Sequence, residues 1–572
     1  MTEAAINVRP KRAARSWSPS VLVPLAILSA FLCVPLLMLI STAFNVGDPQ
    51  IFPAREFGID NFSEVLDHLD WIRNTLTISA LGTILAILIA IVISWTLYRT
   101  DVPGRSILDL LIAIPYPLGP LVGALAWHQL GSSHHGLIND LYRWATGFDG
   151  SLINTSSLTA IIVITALFEA PVAILMIGAA MQRMDPSLEE SSAMLGGGLV
   201  RTALTVTLPL MLPAILSASL FLFVSIGGAF AIPAILGAEE RIYVVTTAIY
   251  QLFQSYPPRY PLAAAIGSVL IAIALLALWL HGRILRGKTY AVITGKNYRP
   301  RRIKLRQPVK ALLLAGIWLY VFIAVFLPIG TLLLAAVQRT SDISFNPADW
   351  TLDNFRFVAL EFDTTRKAIL NSIILAVATG AFGAVAATVL AWIVYRSRSR
   401  GRGLLEQVTM IPQAFPHVIF AVGFLWTVLL LPIPIYNTLT AILLAFLILF
   451  LPLAFRSMSG VVVQLSPALE EASRVAGAGW FTMFRTVTVP LLGAGLLSTW
   501  ALLFMVSVRE VSASVFLAGP ESQVLGPAIL SFWDSGGMPR VSALAIIQAI
   551  IVLLALFVVR WTVGRSRITM TE

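Results

Sequence analysis

The stretch IRNTLTISALGTILAILIAIVISWTLYRT, residues 72–100, decides the fold because the chain contains its pattern twice. Residues 369–397, ILNSIILAVATGAFGAVAATVLAWIVYRS, repeat it. An offset of 297 positions aligns Asn74, Trp95, Tyr98, Arg99 and Pro115 with Asn371, Trp392, Tyr395, Arg396 and Pro412. An offset of 281 positions then aligns Pro171, Pro186, Glu190, Gly196, Thr207 and Pro209 with Pro452, Pro467, Glu471, Gly477, Thr488 and Pro490. We interpret the chain as two copies of one unit, with a longer loop near residues 131–156 in the first copy.

Composition places both copies in a membrane. The 572 residues are 58% hydrophobic and 12% charged, whereas soluble domains are about 25% charged. Apolar runs near the length of a membrane-crossing helix predict about twelve spans: 21–43, 75–98, 108–130, 157–181, 209–230, 261–281, 309–337, 369–395, 405–431, 438–458, 490–509 and 541–560. The predicted fold is therefore all-α, with about twelve transmembrane helices in two parallel six-helix repeats.

The distribution of charge predicts the orientation. The net charge is +10, and placing both termini in the cytoplasm puts most Lys and Arg residues on the cytoplasmic side, as the positive-inside rule requires. These basic residues flank spans, so they predict contact with anionic membrane lipid and no nucleic-acid partner. The expected organisation is a first half at 1–281, a basic cytoplasmic linker at 282–308 and a second half at 309–572. Cys33 is the only cysteine, which excludes an intrachain disulfide and a cysteine-based metal site.

Two polar loops carry the functional pattern. They read DPSLEESSAMLGGGLVRTALTVTLPLMLPA at 185–214 and SPALEEASRVAGAGWFTMFRTVTVPLLGAG at 466–495. In each loop a Glu precedes a Gly by six positions and a Pro by nineteen. Proline and acidic residues near a helix start, followed by glycine, predict a helix–Gly–helix element on the cytoplasmic face. The candidate site residues are Glu190, Gly196, Pro209, Glu471, Ala472, Gly477 and Pro490.

These loops resemble the EAA loop of binding-protein-dependent ABC transporter permeases. The first loop has Ser191 and Ser192 in place of the two alanines, and the second has Ala472 and Ser473. The resemblance implies that each loop forms a coupling helix that docks into a separate ATPase subunit, of which two copies bind. It also implies delivery of the substrate by a periplasmic binding protein, location in the inner membrane, no cofactor and no enzymatic activity in this chain.

Further resemblance narrows the range of possible substrates. Residues 99–127, 227–253 and 508–537 resemble the ferric-iron members of the family, while permeases for thiamine, phosphonate and polyamine share much of the same pattern. His134 and His135 form the only adjacent histidine pair, in an external loop, where a solvated pair is the simpler interpretation. Glu169 and Glu510 are the acids at membrane depth, which makes them candidate pathway residues. Glu169 aligns with Phe450, so no symmetric carboxylate cage is expected.

Two competing interpretations remain to be weighed. A secondary transporter with two six-helix halves needs coupling carboxylates near the midplane, and the chain offers mainly Glu169. The stretch GRILRGKT, residues 282–289, matches the phosphate-binding loop pattern of ATPases. Such a loop follows a β-strand, whereas this one follows an apolar span. We therefore interpret Arg283, Arg286 and Lys288 as positive-inside anchors and the match as fortuitous.

Overall fold

The computed structural model describes residues 17–48, 56–185, 187–285, 303–397 and 399–568, and in them the chain is helical with three isolated β-bridges and no strand. The helices of the first half are α1 Pro19–Ala43, α2 Asp60–Val65, α3 Leu69–Arg99, α4 Arg105–Ala113, α5 Pro115–Leu118, α6 Pro120–Gly131, α7 Leu137–Thr146, α8 Leu158–Arg183, α9 Ser187–Met194, α10 Leu199–Thr202, α11 Leu208–Gly227, α12 Ala231–Leu236, α13 Val245–Gln254 and α14 Tyr260–Leu285. Those of the second half are α15 Gln307–Val321, α16 Leu327–Ala336, α17 Asp353–Arg356, α18 Asp363–Arg396, α19 Arg402–Met410, α20 His417–Leu430, α21 Leu439–Leu449, α22 Leu451–Gln464, α23 Pro467–Val475, α24 Trp480–Met483, α25 Val489–Leu491, α26 Gly493–Val508, α27 Ser514–Leu517, α28 Leu525–Asp534 and α29 Met538–Ile568.

Eight helices of the described chain are long and apolar enough to cross a membrane, and four bent helix pairs raise the number to as many as twelve. This confirms the predicted all-α fold. The third predicted span of each half is not straight, since its two helical segments meet at 94° in the first half and 106° in the second. Gly119, with φ of +89°, lies at the first bend, and Pro416 lies at the second. Proline lacks the N–H that a regular helical hydrogen-bond pattern needs, and Pro120 follows the first bend as Pro416 marks the second. Each span therefore breaks at the same point of the repeat.

Equivalent hydrogen bonds show that the duplication extends to side chains. Asn61 Nδ2 donates to the carbonyls of Ala43 at 3.0 Å and Asn45 at 2.7 Å. Asn354 Nδ2 makes the same pair of bonds, at 3.0 Å and 2.7 Å, to Ala336 and Gln338 in the second half. Each asparagine thereby ties the loop after the first span of its half to the start of the next helical segment.

The two halves are interlocked through their first spans. Helix α1 of the first half packs against α20 of the second, and α16 of the second half packs against α6 of the first. Each first span also contacts the last span of its own half, α14 or α29. The interface between the halves is consequently built from broken spans α6 and α20, each covered by a helix from the other half.

The connection between the halves is partly described. Gly282 lies inside α14, so the phosphate-loop match begins within a continuous helix rather than after a strand. Residues 286–302, including Arg286 and Lys288, lie outside the described residues. Where the chain resumes, Ile303 N donates to the carbonyl of Arg99 at 2.8 Å, and Lys310 Nζ donates to Asp101 Oδ2 at 2.8 Å. The Lys310 bond lowers the pKa of the Asp101 carboxyl group, which keeps this attachment charged near neutral pH.

Candidate functional site

The two polar loops have the same backbone course. In the first, α9 ends before Gly196, which has φ of +80°, and in the second α23 ends before Gly477, which has φ of +85°. A side chain is strained in this left-handed region, so glycine is the residue that allows each turn. After the glycine, a short helix leads through a π-helical turn, 203–207 or 484–488, into the next span.

The tips of both loops expose apolar side chains. Met194 and Leu195 are 89% and 88% exposed, and Val475 is 89% exposed. Phe481 follows at 68%. Apolar groups presented so fully on short helices between polar residues are typical of a protein contact surface. We call these exposed residues the loop tips.

A buried glutamate holds the first loop to the span bundle. Glu189 Oε2 lies 2.8 Å from Arg99 Nη2 at the end of α3, and Glu189 Oε1 accepts a hydrogen bond from Thr207 Oγ1 at 2.7 Å. The Arg99 side chain is fully buried and that of Glu189 is 8% exposed. The ion pair therefore fixes α9 against both α3 and the helical turn that leads into α11.

The second loop has the same arrangement with looser distances. Glu470 Oε1 accepts hydrogen bonds from Trp392 Nε1 at 3.1 Å and Thr488 Oγ1 at 3.4 Å, and lies 4.0 Å from Arg396 Nε. The Arg396 guanidinium also donates to the carbonyls of Val462 and Leu465 at the end of α22. Arg396 is thus shared between a carboxylate and a helix end, whereas Arg99 pairs with Glu189.

The sequence pattern singled out the neighbours of these glutamates. Glu190 is partly buried in α9, while Glu471 and Ala472 are exposed on α23. Pro209 lies in the first turn of α11, and Pro490 lies in α25. Glu189 and Glu470 escaped the sequence reasoning although they too are 281 positions apart. Their partners did recur in the sequence, since Arg99 aligns with Arg396 and Thr207 aligns with Thr488. That recurrence could have identified the two glutamates.

Glu510, one of the two candidate pathway acids, lies where the halves meet. Its Oε2 is 3.0 Å from His417 Nδ1 at the start of α20, and its Oε1 accepts a hydrogen bond from the Ala513 amide at 3.0 Å. Glu169 lies in α8 and accepts a 3.5 Å hydrogen bond from Ser225 Oγ. The two acids belong to different halves and have different hydrogen-bond partners, and the Arg509 charge acts on both. Among the described residues no group of three His, Cys, Asp or Glu side chains is arranged to hold a metal ion.

The neighbouring Arg509 crosses from the second half into the first. Its guanidinium lies 4.1 Å from the centre of the Tyr116 ring and donates to the Tyr116 carbonyl. A Cβ on Gly119 would lie 3.0 Å from Arg509 Cβ. The repeat aligns Gly119 with Pro416 and Gly228 with Arg509, and a Cβ on Gly228 would lie 2.9 Å from Pro416 Cβ. The two contacts, Gly119 with Arg509 and Gly228 with Pro416, are related by the repeat, and we call them the paired inter-half contacts.

Comparison with known proteins agrees with this geometry. The model of the family described as "Binding-protein-dependent transport system inner membrane component" matches residues 4–290 and 381–568. These two segments cover most of the chain and contain one polar loop each. The chain belongs to this family. The resemblance inferred from the EAA-like loops is confirmed, and the permease is a multi-span inner-membrane protein with the family's domain present twice.

Individual relatives are distant. The permease is 25% identical over 440 residues to the Ferric transport system permease protein FbpB of Actinobacillus pleuropneumoniae, a match that covers 75% of this chain and 61% of the relative. It is 26% identical over 487 residues to the Fe(3+)-transport system permease protein FbpB 2 of Haemophilus influenzae, covering 84% and 88%. The permease thus spans about three fifths of the first relative. A solved bacterial ABC transporter for alginate aligns with a TM-score of 0.40 and 22% identity, over 47% of this chain and 94% of that one.

Proposed function

We propose that this permease forms the translocation path of an ABC importer. Two copies of a separate ATPase subunit bind the loop tips from the cytoplasm, both termini are cytoplasmic, and a periplasmic binding protein delivers the substrate to the opposite face. The observation that carries the proposal is the pair of exposed apolar loop tips, each clamped to the bundle by a buried glutamate. A rigid clamp is what converts movement of a docked subunit into movement of a span.

The paired inter-half contacts suggest how the path opens. They lie at the breaks before α6 and α20. In each contact a glycine of the first half touches a residue of the second half. Closing of the ATPase subunits would move α9 and α23, and through the glutamate clamps α3 and α18. Rocking of the halves would then separate Gly228 from Pro416 and Gly119 from Arg509, which opens the path to the other side of the membrane.

The proposed substrate is ferric iron, supported by the named function of the two distant relatives and by the resemblance of residues 99–127, 227–253 and 508–537 to iron permeases. Thiamine, phosphonate and polyamine are the alternatives within the family. A secondary transporter is the alternative from another class. Radioactive iron uptake, competed with each of the other three solutes, separates these substrates.

The test uses the permease reconstituted with its ATPase and binding protein in proteoliposomes. We expect co-purification of the ATPase, and uptake that requires ATP and the binding protein. Met194→Asp together with Val475→Asp places charges on both loop tips and is expected to abolish co-purification. Met194→Leu together with Val475→Leu keeps both positions apolar and is expected to retain it. Uptake that proceeds without the ATPase and follows a proton gradient would show that the permease is a secondary transporter.

A further inference from the structure

A large cavity lies between the two halves. Its volume is about 1010 Å³, and it is lined by α1, α8, α11 and α14 of the first half and by α19, α22 and the segment between α19 and α20 of the second. Its polar side chains include Ser29, Ser217, Glu406, Gln407, Gln413 and Arg456. Val224 and Phe415 also line it, and Phe415 directly precedes Pro416, which contacts Gly228. The cavity therefore borders one of the paired inter-half contacts.

Arg456 is the one Lys or Arg among the described residues that line this cavity. It lies on α22 eight residues before the end of that helix at Gln464, which is about 12 Å along the helix axis at the rise of an α-helix. Its side chain is exposed in the structure, and its Nε donates to Met410 Sδ at 3.4 Å. No ion pair of Arg456 occurs among the described residues. A thioether is a weak, neutral acceptor and guanidinium has five N–H donors, so most of its donors and its full charge remain for a ligand.

Glu406, the one carboxylate among the described lining residues, has a hydrogen-bond partner from the repeated structure. Glu406 lies in the second turn of α19 and accepts a hydrogen bond from Tyr395 OH at 3.0 Å. The first half contains the same bond, from Tyr98 OH to Asp109 at 3.1 Å. This carboxylate is therefore part of a repeated structural contact, whereas Arg456 aligns with Leu175 and has no counterpart in the repeat.

We propose that Arg456 makes the cavity a binding site for an anionic oxygen group, carboxylate or phosphate, carried by the transported solute. This rests on the proposed importer function and narrows its substrate. A charged side chain within a predicted span is a candidate functional residue. Gln407 and Gln413 line the same cavity as Arg456, and their amide groups can donate to the same oxygens. The solute is either an organic anion or a metal ion carried within an anionic ligand shell. A polyamine would be repelled by Arg456.

Cys33 provides a reporter for the charge of the cavity. It is the only cysteine of the chain and lines the same cavity. In the reconstituted importer, its modification rate is measured with two methanethiosulfonate reagents, one bearing a sulfonate and the other a trimethylammonium group. Arg456→Gln is expected to lower the sulfonate-to-ammonium rate ratio about tenfold, the lower end of electrostatic focusing by a charged cleft. Leu175→Gln is the matched control and leaves the ratio unchanged. A ratio unaffected by Arg456→Gln overturns the proposal.

Protection of Cys33 tests the ligand. In phosphatidylcholine vesicles, millimolar inorganic phosphate, citrate or ferric citrate is expected to slow modification in the native permease and in Arg456→Lys, but not in Arg456→Gln. Spermidine is expected to give no protection. The proposal is overturned if none of the three anionic probes protects, if spermidine protects equally, or if protection depends on adding phosphatidylglycerol, which would make the ligand a lipid headgroup.

Uptake separates this inference from the proposed function. If the native complex shows no ATP-dependent uptake of iron supplied as ferric citrate, of a phosphonate, of thiamine or of spermidine, the importer function itself fails. If native uptake is ATP-dependent and Arg456→Gln lowers it about tenfold with the ATPase still bound, both stand. Native uptake that is ATP-dependent and unchanged in Arg456→Gln leaves the function intact and overturns the role of Arg456.

Discussion

The Arg99 guanidinium and the Glu189 carboxylate form a 2.8 Å ion pair in which Arg99 has no exposed surface. Arg99 Nε and Nη1 have no hydrogen-bond acceptor among the described residues, so Glu189 is the main compensation for this buried charge. The equivalent separation between Arg396 and Glu470 is 4.0 Å, with side chains 13% and 11% exposed. The first polar loop is thus held by a more strongly coupled charge pair than the second.

Glu189→Gln is expected to damage the permease more than Glu470→Gln. The first change leaves Arg99 buried without an anion, for which the loss in free energy of unfolding is about 3–5 kcal/mol. Arg396 keeps two carbonyl acceptors after the second change, so the loss is smaller. Thermal unfolding in detergent and binding-protein-stimulated ATP hydrolysis measure both effects. Equal losses in the two variants would contradict the structural difference between the pairs.

Gly477→Ala is expected to reduce coupling through backbone strain. A side chain in the left-handed region costs about 1–2 kcal/mol, and no neighbouring atom within 4 Å would otherwise oppose a Cβ at this position. Gly479→Ala is the matched control, since its site is equally open and no positive φ occurs there. The measurement is uptake per ATP hydrolysed in correctly inserted protein. Coupling that is unchanged in Gly477→Ala, or lowered equally by both substitutions, would refute this prediction.

The pair Gly228→Cys and Pro416→Cys, in a Cys33→Ser background, is expected to form a disulfide across the paired inter-half contact. A Cβ at Gly228 would lie 2.9 Å from Pro416 Cβ, so an outward shift of roughly 0.6 Å brings the pair to the lower limit of the roughly 3.5–4.5 Å that a disulfide requires. If the path opens by separation at this point, oxidation stops uptake and reduction restores it. Loss of maleimide labelling reports the bond. Full uptake in the oxidised protein would place the gate elsewhere.

Lys288→Ala is expected to leave ATP-dependent uptake nearly unchanged, because the residues before it form a helix and not the strand of a phosphate-binding loop. The measurement is the ATPase rate of the complete importer and of the permease alone. ATP hydrolysis by the isolated permease that is lost in Lys288→Ala would restore the phosphate-loop interpretation.

Much of the fold was predictable because both copies need apolar helices long enough to cross the same membrane. Asn74 and Asn371 were aligned from sequence, and both donate side-chain hydrogen bonds to backbone carbonyls, at 3.1 Å to Tyr243 and 3.0 Å to Gln523. The buried glutamates were missed because the side of α9 and α23 that faces the bundle depends on how each helix is rotated. Hydropathy reports neither this rotation nor the bends at Gly119 and Pro416.

The candidate pathway was harder to predict than the fold. Glu169 and Glu510 were identified as acids at membrane depth, and whether they contribute to transport stays a prediction. Arg456 was overlooked inside the span predicted at 438–458, although an arginine opposite Leu175 in the repeat is a readable signal. That it lines a cavity follows from packing between the halves, which a single sequence does not encode in any local pattern.

The packing of α1 against α20 also sets an order of events during synthesis. A ribosome adding about 5–20 residues per second needs roughly 20–75 s to pass from the end of α1 to the start of α20. Throughout that interval α1 stands in the bilayer without its final neighbour. An apolar helix is stable in contact with lipid, and only 17% of the most apolar stretch of α1 is buried in the finished protein. The permease therefore begins as a free lipid-facing helix and becomes interlocked only when the second half arrives.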